Sequence, residues 1–341
     1  MRILLTGGAG FIGSRVRDQL TGRGHDVVVV DDMIPAAHGA DAVAPDGVIR
    51  VNLRDADLDP LLDGVDAVCH QAAMVGAGVD ANDAPEYAAD NDFGSARLLA
   101  AMYRTGVRKL VFASSMVVYG DGSYVDAVGA PAFPAERSLD DLRSGRFDRY
   151  LPDGAVARWA LTPEQTPAAP RSYYAASKLA QENYAKAWTL ETGGSAIALR
   201  YHNVYGPHMP KDTPYAGVAA IFRSQLEAGA VPTVFEDGGQ MRDFVHVDDV
   251  AAANVAALES DLTDFDAFNV CSGQPISILA VAQALTDTIG GADPVVTGDF
   301  RPGDVRHIVA DPARARERLG FTAQVMPADG LHQFATAPLR G

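Results

Sequence analysis

The segment Thr6-Gly-Gly-Ala-Gly-Phe-Ile-Gly13 restricts the possible folds of this chain more than any other. Gly7, Gly10 and Gly13 occupy the three positions of a Gly-x-x-Gly-x-x-Gly turn, behind the apolar run Arg2–Leu5 and ahead of the amphipathic stretch Phe11–Thr21. A strand that turns this tightly into a helix brings bare backbone close to a ligand and aims the helix N-terminus at it, which suits a pyrophosphate. Phe11 and Ile12 open that helix and belong to the same site. Eighteen residues past Gly13, Asp31 ends a second apolar run, Asp26–Val30, and Asp32 follows. A carboxylate at such a strand end accepts from ribose hydroxyls and repels a 2′-phosphate, and Asp32-Met33-Ile34 supplies no compensating Arg or Lys. The expected cofactor is therefore NAD rather than NADP.

Further apolar runs at Val48–Val51, Ala67–His70, Lys109–Ala113 and Ala196–Leu199 alternate with helix-like segments at Ala84–Thr105 and Tyr174–Thr192. Runs rich in Val, Ile and Leu are strands covered on both faces. The alternation predicts an α/β fold of Rossmann type, a doubly wound parallel sheet, with a smaller mixed α/β lobe beyond Arg200. The expected division is 1–199 plus 243–272 for the cofactor domain and 200–242 plus 273–341 for the substrate lobe. In this division Phe244–Ala257 and Phe268–Val270 return to the main sheet. Residues 121–170 interrupt the pattern with six prolines and mixed charge. One helix is predicted there, Leu139–Arg143, capped by Ser138 and stopped near Gly145. The rest reads as structureless, a length that tends to be functional or mobile, and it is placed to cover the carboxyl edge of the sheet.

Two strand ends add candidates. Asn52-Leu53 follows the third strand, where an adenine edge would lie; Asn52 can donate and accept there, and is equally an ordinary turn former. His70-Gln-Ala-Ala73 ends the fourth, where Ala72 and Ala73 permit close approach to a cofactor and His70 reads as structural.

Charge enters as an exclusion. The balance of 28 Lys and Arg against 44 Asp and Glu gives −16, a surface that repels nucleic-acid phosphate and anionic lipid. No apolar run approaches the roughly 20 residues of a spanning helix. Cys69 and Cys271 form neither a disulfide framework nor a Cys-x-x-Cys pair, so no metal is expected and a reducing compartment is the simplest setting. The first strand starts directly after Met1, leaving no room for a signal peptide, and the cytoplasm is the expected location. In so acidic a chain, isolated arginines become candidates for phosphate.

Tyr174-Ala-Ala-Ser-Lys178 carries the chemistry. Four residues are about one helical turn, so both side chains project from one face. The Lys178 ammonium would favour ionisation of the Tyr174 phenol, lowering a pKa normally about 10. Such a phenol can take a proton from an alcohol as hydride leaves its carbon.

With these pieces placed, the chain resembles the extended short-chain dehydrogenase/reductase family, in particular its nucleotide-sugar epimerases and dehydratases. The resemblance rests on Thr6–Gly13, Asn91-Asp-Phe-Gly94, Phe112-Ala-Ser-Ser-Met-Val-Val-Tyr-Gly120, Tyr174–Lys178, Arg200-Tyr-His-Asn-Val-Tyr-Gly-Pro207 and Arg242-Asp-Phe-Val-His-Val-Asp-Asp249, and spans nearly the whole chain except parts of 121–170. It implies that Ser115 joins Tyr174 and Lys178 in catalysis, that Lys178 also holds the nicotinamide ribose, and that Asn91, Ser114 and His202 lie at the cofactor. His202 stands where relatives carry an aromatic residue, and is either a tuning residue or a satisfied structural histidine. Relatives that eliminate water carry an acid pair after the residue matching Ser115, and this chain has Met116 and Val117, neither of which exchanges a proton. The implied reaction is therefore 4-epimerisation through a transient 4-keto intermediate, with retained NAD. Arg242 and Arg301, beside Asp304, match the family's diphosphate arginines, against the alternative of salt bridges to neighbouring aspartates; Asn203 is a diphosphate or sugar contact or a strand-end cap. Met116 and Val117 would face the sugar, and the insertion together with Tyr215–Phe222 and Val234–Gly238 resembles the epimerases of dTDP-6-deoxyhexoses such as dTDP-L-rhamnose. UDP-glucose/galactose 4-epimerase, a 4-ketoreductase and a non-catalytic NAD-binding regulator are the competing readings. The resemblance also implies a homodimer through Ala84–Thr105 and Tyr174–Thr192.

Overall fold

The computed structural model of the protein describes residues 1–39, 42–76, 80–211 and 217–340; of the stretch Tyr215–Phe222, Tyr215 and Ala216 lie outside them. Seven strands form the centre: β1 (Arg2–Thr6), β2 (Asp26–Asp31), β3 (Val48–Arg50), β4 (Ala67–His70), β5 (Lys109–Ser115), β6 (Ser195–Tyr201) and β7 (Phe265–Val270). All pair parallel, in the spatial order β7-β6-β5-β4-β1-β2-β3. Side chains alternate along a strand, so Ile3 and Leu5 of β1 enter one core and Leu4 the other. The first core is closed by α1 (Phe11–Gly22) and α4 (Val247–Glu259), the second by α2 (Gly94–Thr105) and α3 (Tyr173–Thr192). Each fully buried aliphatic side chain adds about 1.5–3 kcal/mol, which is why these strands show no polar alternation. Strand order reverses between β1 and β4, and the loops after them part to leave a crevice at the carboxyl edge.

The segment expected as one helix over Ala84–Thr105 is helical throughout but widens into a π turn at Ala88–Phe93. The wide turn carries Asn91 fully buried, and its side-chain amide donates to the Met74 carbonyl at 2.9 Å and the Ser177 hydroxyl at 2.8 Å. Such turns often sit at functional sites; here it ties the β4 loop to α3.

Phe265–Val270 joins the main sheet as expected, but Phe244–Ala257 does not. Met241–His246 pairs parallel with Asn203–Tyr205 and antiparallel with Pro275–Ser277 in a separate small sheet. The chain then turns into α4, whose first turn holds Asp248 and Asp249, the sign favoured at a helix N-terminus. Residues 247–257 therefore pad the main sheet instead of extending it. A third core, including Tyr205, Phe222, Phe244, Leu285 and Phe334, fills the smaller lobe.

Residues 121–170 are more ordered than expected. Ser123–Val125 pairs antiparallel with Pro131–Ala132 and with Arg158–Ala160. The predicted helix Leu139–Arg143 forms, with the Ser138 hydroxyl accepting from the Asp141 amide at 3.0 Å. Charge fastens the segment to the smaller lobe: Arg137 meets Glu236 at 2.7 Å, and Arg306 meets Asp148, Glu236 and Asp237 at 2.7–2.9 Å. Arg149 and Arg171 both bind Asp121. Backbone pairs from Thr162 to Val309 and from Gly122 to His307 complete the seam. These partners are distant in sequence, so local pattern could not reveal the order.

Candidate active site

The glycine turn is as tight as the motif requires. Gly7 has φ +67°, and a Cβ on it would lie 2.6 Å from the Ala72 amide nitrogen. A Cβ on Gly13 would lie 2.0 Å from the Gly7 carbonyl oxygen. The turn thus presses against the β4 loop with no room for side chains, and Gly10 begins α1 with no side-chain cap, leaving that N-terminus to an anion. Two cavities meet here, sharing Gly7, Gly10, Gln71 and Ala73.

The smaller, about 140 Å³, is lined by Asp31, Asp32, Asn52, Leu53 and Ala72. Asp31 accepts from the Ala9 amide at 3.0 Å and the Met33 amide at 2.9 Å, and His38 Nε2 lies 3.2 Å away. Burial alone would raise its pKa, but the bonds from His38, Met33 and Ala9 outweigh burial and hold the carboxyl below its ordinary value. Asn52 donates to Asp32 at 2.9 Å and accepts from the Arg54 amide at 2.8 Å, so it forms the turn while lining the cavity. Carboxylates, an apolar wall and a glycine cradle fit the adenosine and pyrophosphate end of a dinucleotide.

The larger cavity, about 400 Å³, gathers Phe11, Ile12, Gly13, Ser114, Ser115, Met116, Val117, Tyr174, Lys178, His202 and Asn203. Ser115 ends β5, and its hydroxyl accepts from the Val117 amide and hydrogen-bonds the Tyr174 side chain. Ser172 caps α3 through the Ala175 amide, fixing the turn that carries Tyr174 and Lys178. Lys178 is 2% exposed, donates to the Ala113 carbonyl at 2.9 Å, and its Nζ lies 5.9 Å from the Tyr174 ring centroid. The electrostatics correct one expectation. Burial pushes the Tyr174 phenol up to about 12, opposed by the Ser115 hydrogen bond. Burial likewise pushes Lys178 down to about 7, opposed by Asp92 and Glu182. In the protein alone the phenol is therefore held up by burial, with the Ser115 hydrogen bond as the opposing influence. His202 is pushed down to about 3 by burial and is neutral.

Other expected residues stand differently. Ser114 donates to Glu182 at 2.5 Å, within a buried network through Arg200. Asn91 holds the β4 loop, and its remaining oxygen accepts from the Met74 amide at 2.8 Å. Asn203 keeps a buried side-chain oxygen without a hydrogen-bond partner among the described residues, at the cavity wall. Arg242, Arg301 and Asp304 lie outside the cavity lining. The Arg242 guanidinium donates to the carbonyls of Met241, Val305 and Arg306, and so positions the 305–306 backbone rather than presenting a free fork. Arg301 is exposed over the Phe235 ring, 5.2 Å from guanidinium carbon to ring centroid. Reading by motif passed over Gln71 inside His70-Gln-Ala-Ala73, and missed His38 and Arg340, which reach the cavities from positions without local pattern. Among the described residues no three His, Cys, Asp or Glu side chains gather as a metal site, and no helix is long and apolar enough to cross a membrane.

The chain matches the model of the NAD dependent epimerase/dehydratase family over residues 3–135 and 154–271. It is 35% identical to the dTDP-L-rhamnose 4-epimerase of Burkholderia thailandensis, over 98% of this chain and 94% of that protein. Among solved structures it resembles the UDP-glucose 4-epimerase of Thermotoga maritima with UDP-glucose, at a TM-score of 0.81 and 30% identity, covering 98% of this chain and 97% of that one. The UDP-glucose 4-epimerase of Thermus thermophilus in complex with NAD gives 0.77 and 32%, with 98% of both chains covered.

Proposed function

Because the chain belongs to the NAD dependent epimerase/dehydratase family, we propose that it is an NAD-dependent nucleotide-sugar 4-epimerase, acting on a dTDP-6-deoxyhexose such as dTDP-L-rhamnose. The observation that carries the reaction type is one cavity wall holding Ser115, Tyr174 and Lys178 beside Met116 and Val117. The first three can handle an alcohol proton, and the last two cannot expel water. Bound NAD supplies a hydride acceptor that returns what it takes, and a positive charge. The residues of the chain do the rest. Tyr174 Oη removes the C4 hydroxyl proton and later restores it, and Ser115 hydrogen-bonds the reacting oxygen. Lys178, anchored by Ala113, holds the nicotinamide ribose, and neutral His202 adds no competing charge. Gly7, Gly10, Phe11, Ile12 and Gly13 cradle the pyrophosphate, Asp31 and Asp32 the ribose, and Asn52, Leu53, Ala72 and Ala73 the adenosine side. Asn203, whose side-chain oxygen has no partner among the described residues, contacts the sugar nucleotide, and the Arg301 guanidinium, with Asp304 near it, receives its diphosphate.

The apolar Met116 and Val117 suit a 6-deoxy carbon, which supports the substrate class, as does the likeness to the rhamnose enzyme. We further propose a cytoplasmic homodimer formed by α2 and α3, supported by exposed Tyr103, Tyr184 and Leu190 on those helices. Separate incubations with dTDP-L-rhamnose, UDP-glucose and UDP-galactose, without added cofactor, followed by NMR at C4, test the assignment. Inversion of the rhamnose alone is expected. Inversion of the UDP-hexoses alone would keep the reaction and reject the substrate, and no inversion even with added NAD would reject both.

A further inference from the structure

The segment after helix Pro327–Thr336 folds back onto the cofactor crevice. The His208 amide donates to the Pro338 carbonyl at 2.6 Å, the Arg340 amide to Met209 at 3.2 Å and the Lys211 amide to Arg340 at 3.0 Å, while Leu339 packs into the core of the smaller lobe. These bonds fix the backbone of Arg340 and deliver its guanidinium to the glycine turn. One nitrogen, Nη2, donates to the Ala9 carbonyl at 3.1 Å, and the side chain lines the larger cavity with Gly10, Phe11 and Gly13. A guanidinium carries five donors in a planar fork, and a single bond to Ala9 leaves most of them directed elsewhere. Among the described residues no carboxylate lies within ion-pair distance of it, although arginine–carboxylate pairs abound elsewhere in this acidic chain. The N-terminus of α1 beside it is uncapped and also carries partial positive charge. The Asp31 carboxylate acts on Arg340 from a distance but is itself engaged by the Ala9 and Met33 amides and by His38, so the fork and the helix N-terminus still face one space, and guanidinium forks match phosphate oxygens.

We propose that Arg340 is a ligand of the cofactor diphosphate, closing the glycine turn from the side of the smaller lobe. It thereby slows release of NAD between turnovers. The inference rests on the NAD-dependent reading of the same crevice and adds to it a residue from outside the Gly-x-x-Gly-x-x-Gly motif.

The test is the exchange rate of bound NAD against isotopically labelled NAD in the purified holoenzyme, comparing wild type with Arg340→Gln and Arg340→Lys. Loss of a charge-assisted contact should speed release about tenfold or more in Arg340→Gln, with Arg340→Lys between the two. Thermal unfolding of the NAD-free proteins should be equal, which separates lost binding from lost folding. Affinity for dTDP, measured on the NAD-loaded proteins, should not change. Release from Arg340→Gln at the wild-type rate would overturn the proposal. Weaker dTDP binding with unaltered NAD release would overturn it too, moving Arg340 to the diphosphate of the sugar nucleotide. A wild-type protein that binds no NAD would overturn the cofactor reading and this proposal together.

Discussion

The crevice around Tyr174 and the seam that fastens residues 121–170 are both rich in ionisable groups withdrawn from water, and they treat them in opposite ways. In the seam Arg137, Arg149 and Arg306 each meet a carboxylate. Asp148 is held down at about 2, first by His307, whose Nε2 lies 3.9 Å away, and then by Arg306 beside it. Arg306 stays above the ordinary arginine range because Asp237 and Asp148 outweigh the cost of its burial. In the crevice the pairing stops short: among the described residues Lys178 bonds a backbone carbonyl and Tyr174 a serine hydroxyl, neither an opposite charge, and burial drives both toward their neutral forms. Buried pairs that satisfy each other keep a shape, whereas groups left short of partners beside a cavity are poised to exchange protons. The difference separates two roles for charge that composition alone would merge.

The sharpest way to break this contrast is Tyr174→Phe. It removes the proton-exchanging atom and a single hydrogen bond, so turnover should fall by about 10³-fold or more, while NAD binding and the unfolding midpoint stay close to wild type. A variant that also unfolds would place Tyr174 with the structural groups. The mirror experiment is Arg306→Met, which takes the arginine from Asp237, leaves Asp148 with His307 and leaves Glu236 with Arg137. Arg306 and Glu236 are buried, but Asp148 and Asp237 are 37% and 51% exposed, so the loss should fall at the low end for a broken buried pair, about 3 kcal/mol, and denaturant titration should show it, with turnover per folded molecule within about twofold of wild type.

Lys178→Met sharpens the contrast through pH. Because the folded lysine titrates near 7 and the unfolded one near 10.5, the unfolded chain binds the extra proton between those values. Wild-type stability attributable to Lys178 therefore rises with pH across that window and is lowest below pH 7. The variant, inactive, should gain most over wild type at or below pH 7, and the gain should vanish by about pH 10; a pH-independent difference would contradict the assignment. The smallest effect belongs to Ser138→Ala, which removes the cap of Leu139–Arg143. A loss of about 1 kcal/mol, seen as faster amide exchange in that helix, should leave epimerisation untouched.

How far the sequence could be read follows from the range of the forces involved. The glycine turn, Asp31 at its strand end, the Tyr174–Lys178 pair and the Ser138 cap depend on neighbours a few residues apart, and the structure has all of them where local geometry requires. Phe244–Ala257 is misplaced by its sequence because local pattern does not reveal which sheet a strand will join. The sheet within 121–170 pairs Ser123–Val125 with Arg158–Ala160 far along the segment, and the whole is fastened by partners at 236–237 and 305–309, beyond any local window. Arg242 matched a motif, yet its guanidinium is engaged by carbonyls that only the fold brings near. Arg340 has no motif at all and reaches the glycine turn only because residues 208–211 pair with the segment that carries it. The direction of the Tyr174 shift was misread for the same reason, since desolvation belongs to the folded interior rather than to a helical turn.

The central claim is that Tyr174 exchanges only the hydroxyl proton while the C4 hydrogen leaves and returns as hydride within one active site. The direct measurement is turnover of dTDP-L-rhamnose deuterated at C4, in unlabelled water, with the isotope followed by NMR in the inverted product. Deuterium should remain at C4 through inversion. Replacement of that deuterium by solvent hydrogen during inversion would mean that C4 is deprotonated or its hydride is lost, and would contradict the mechanism.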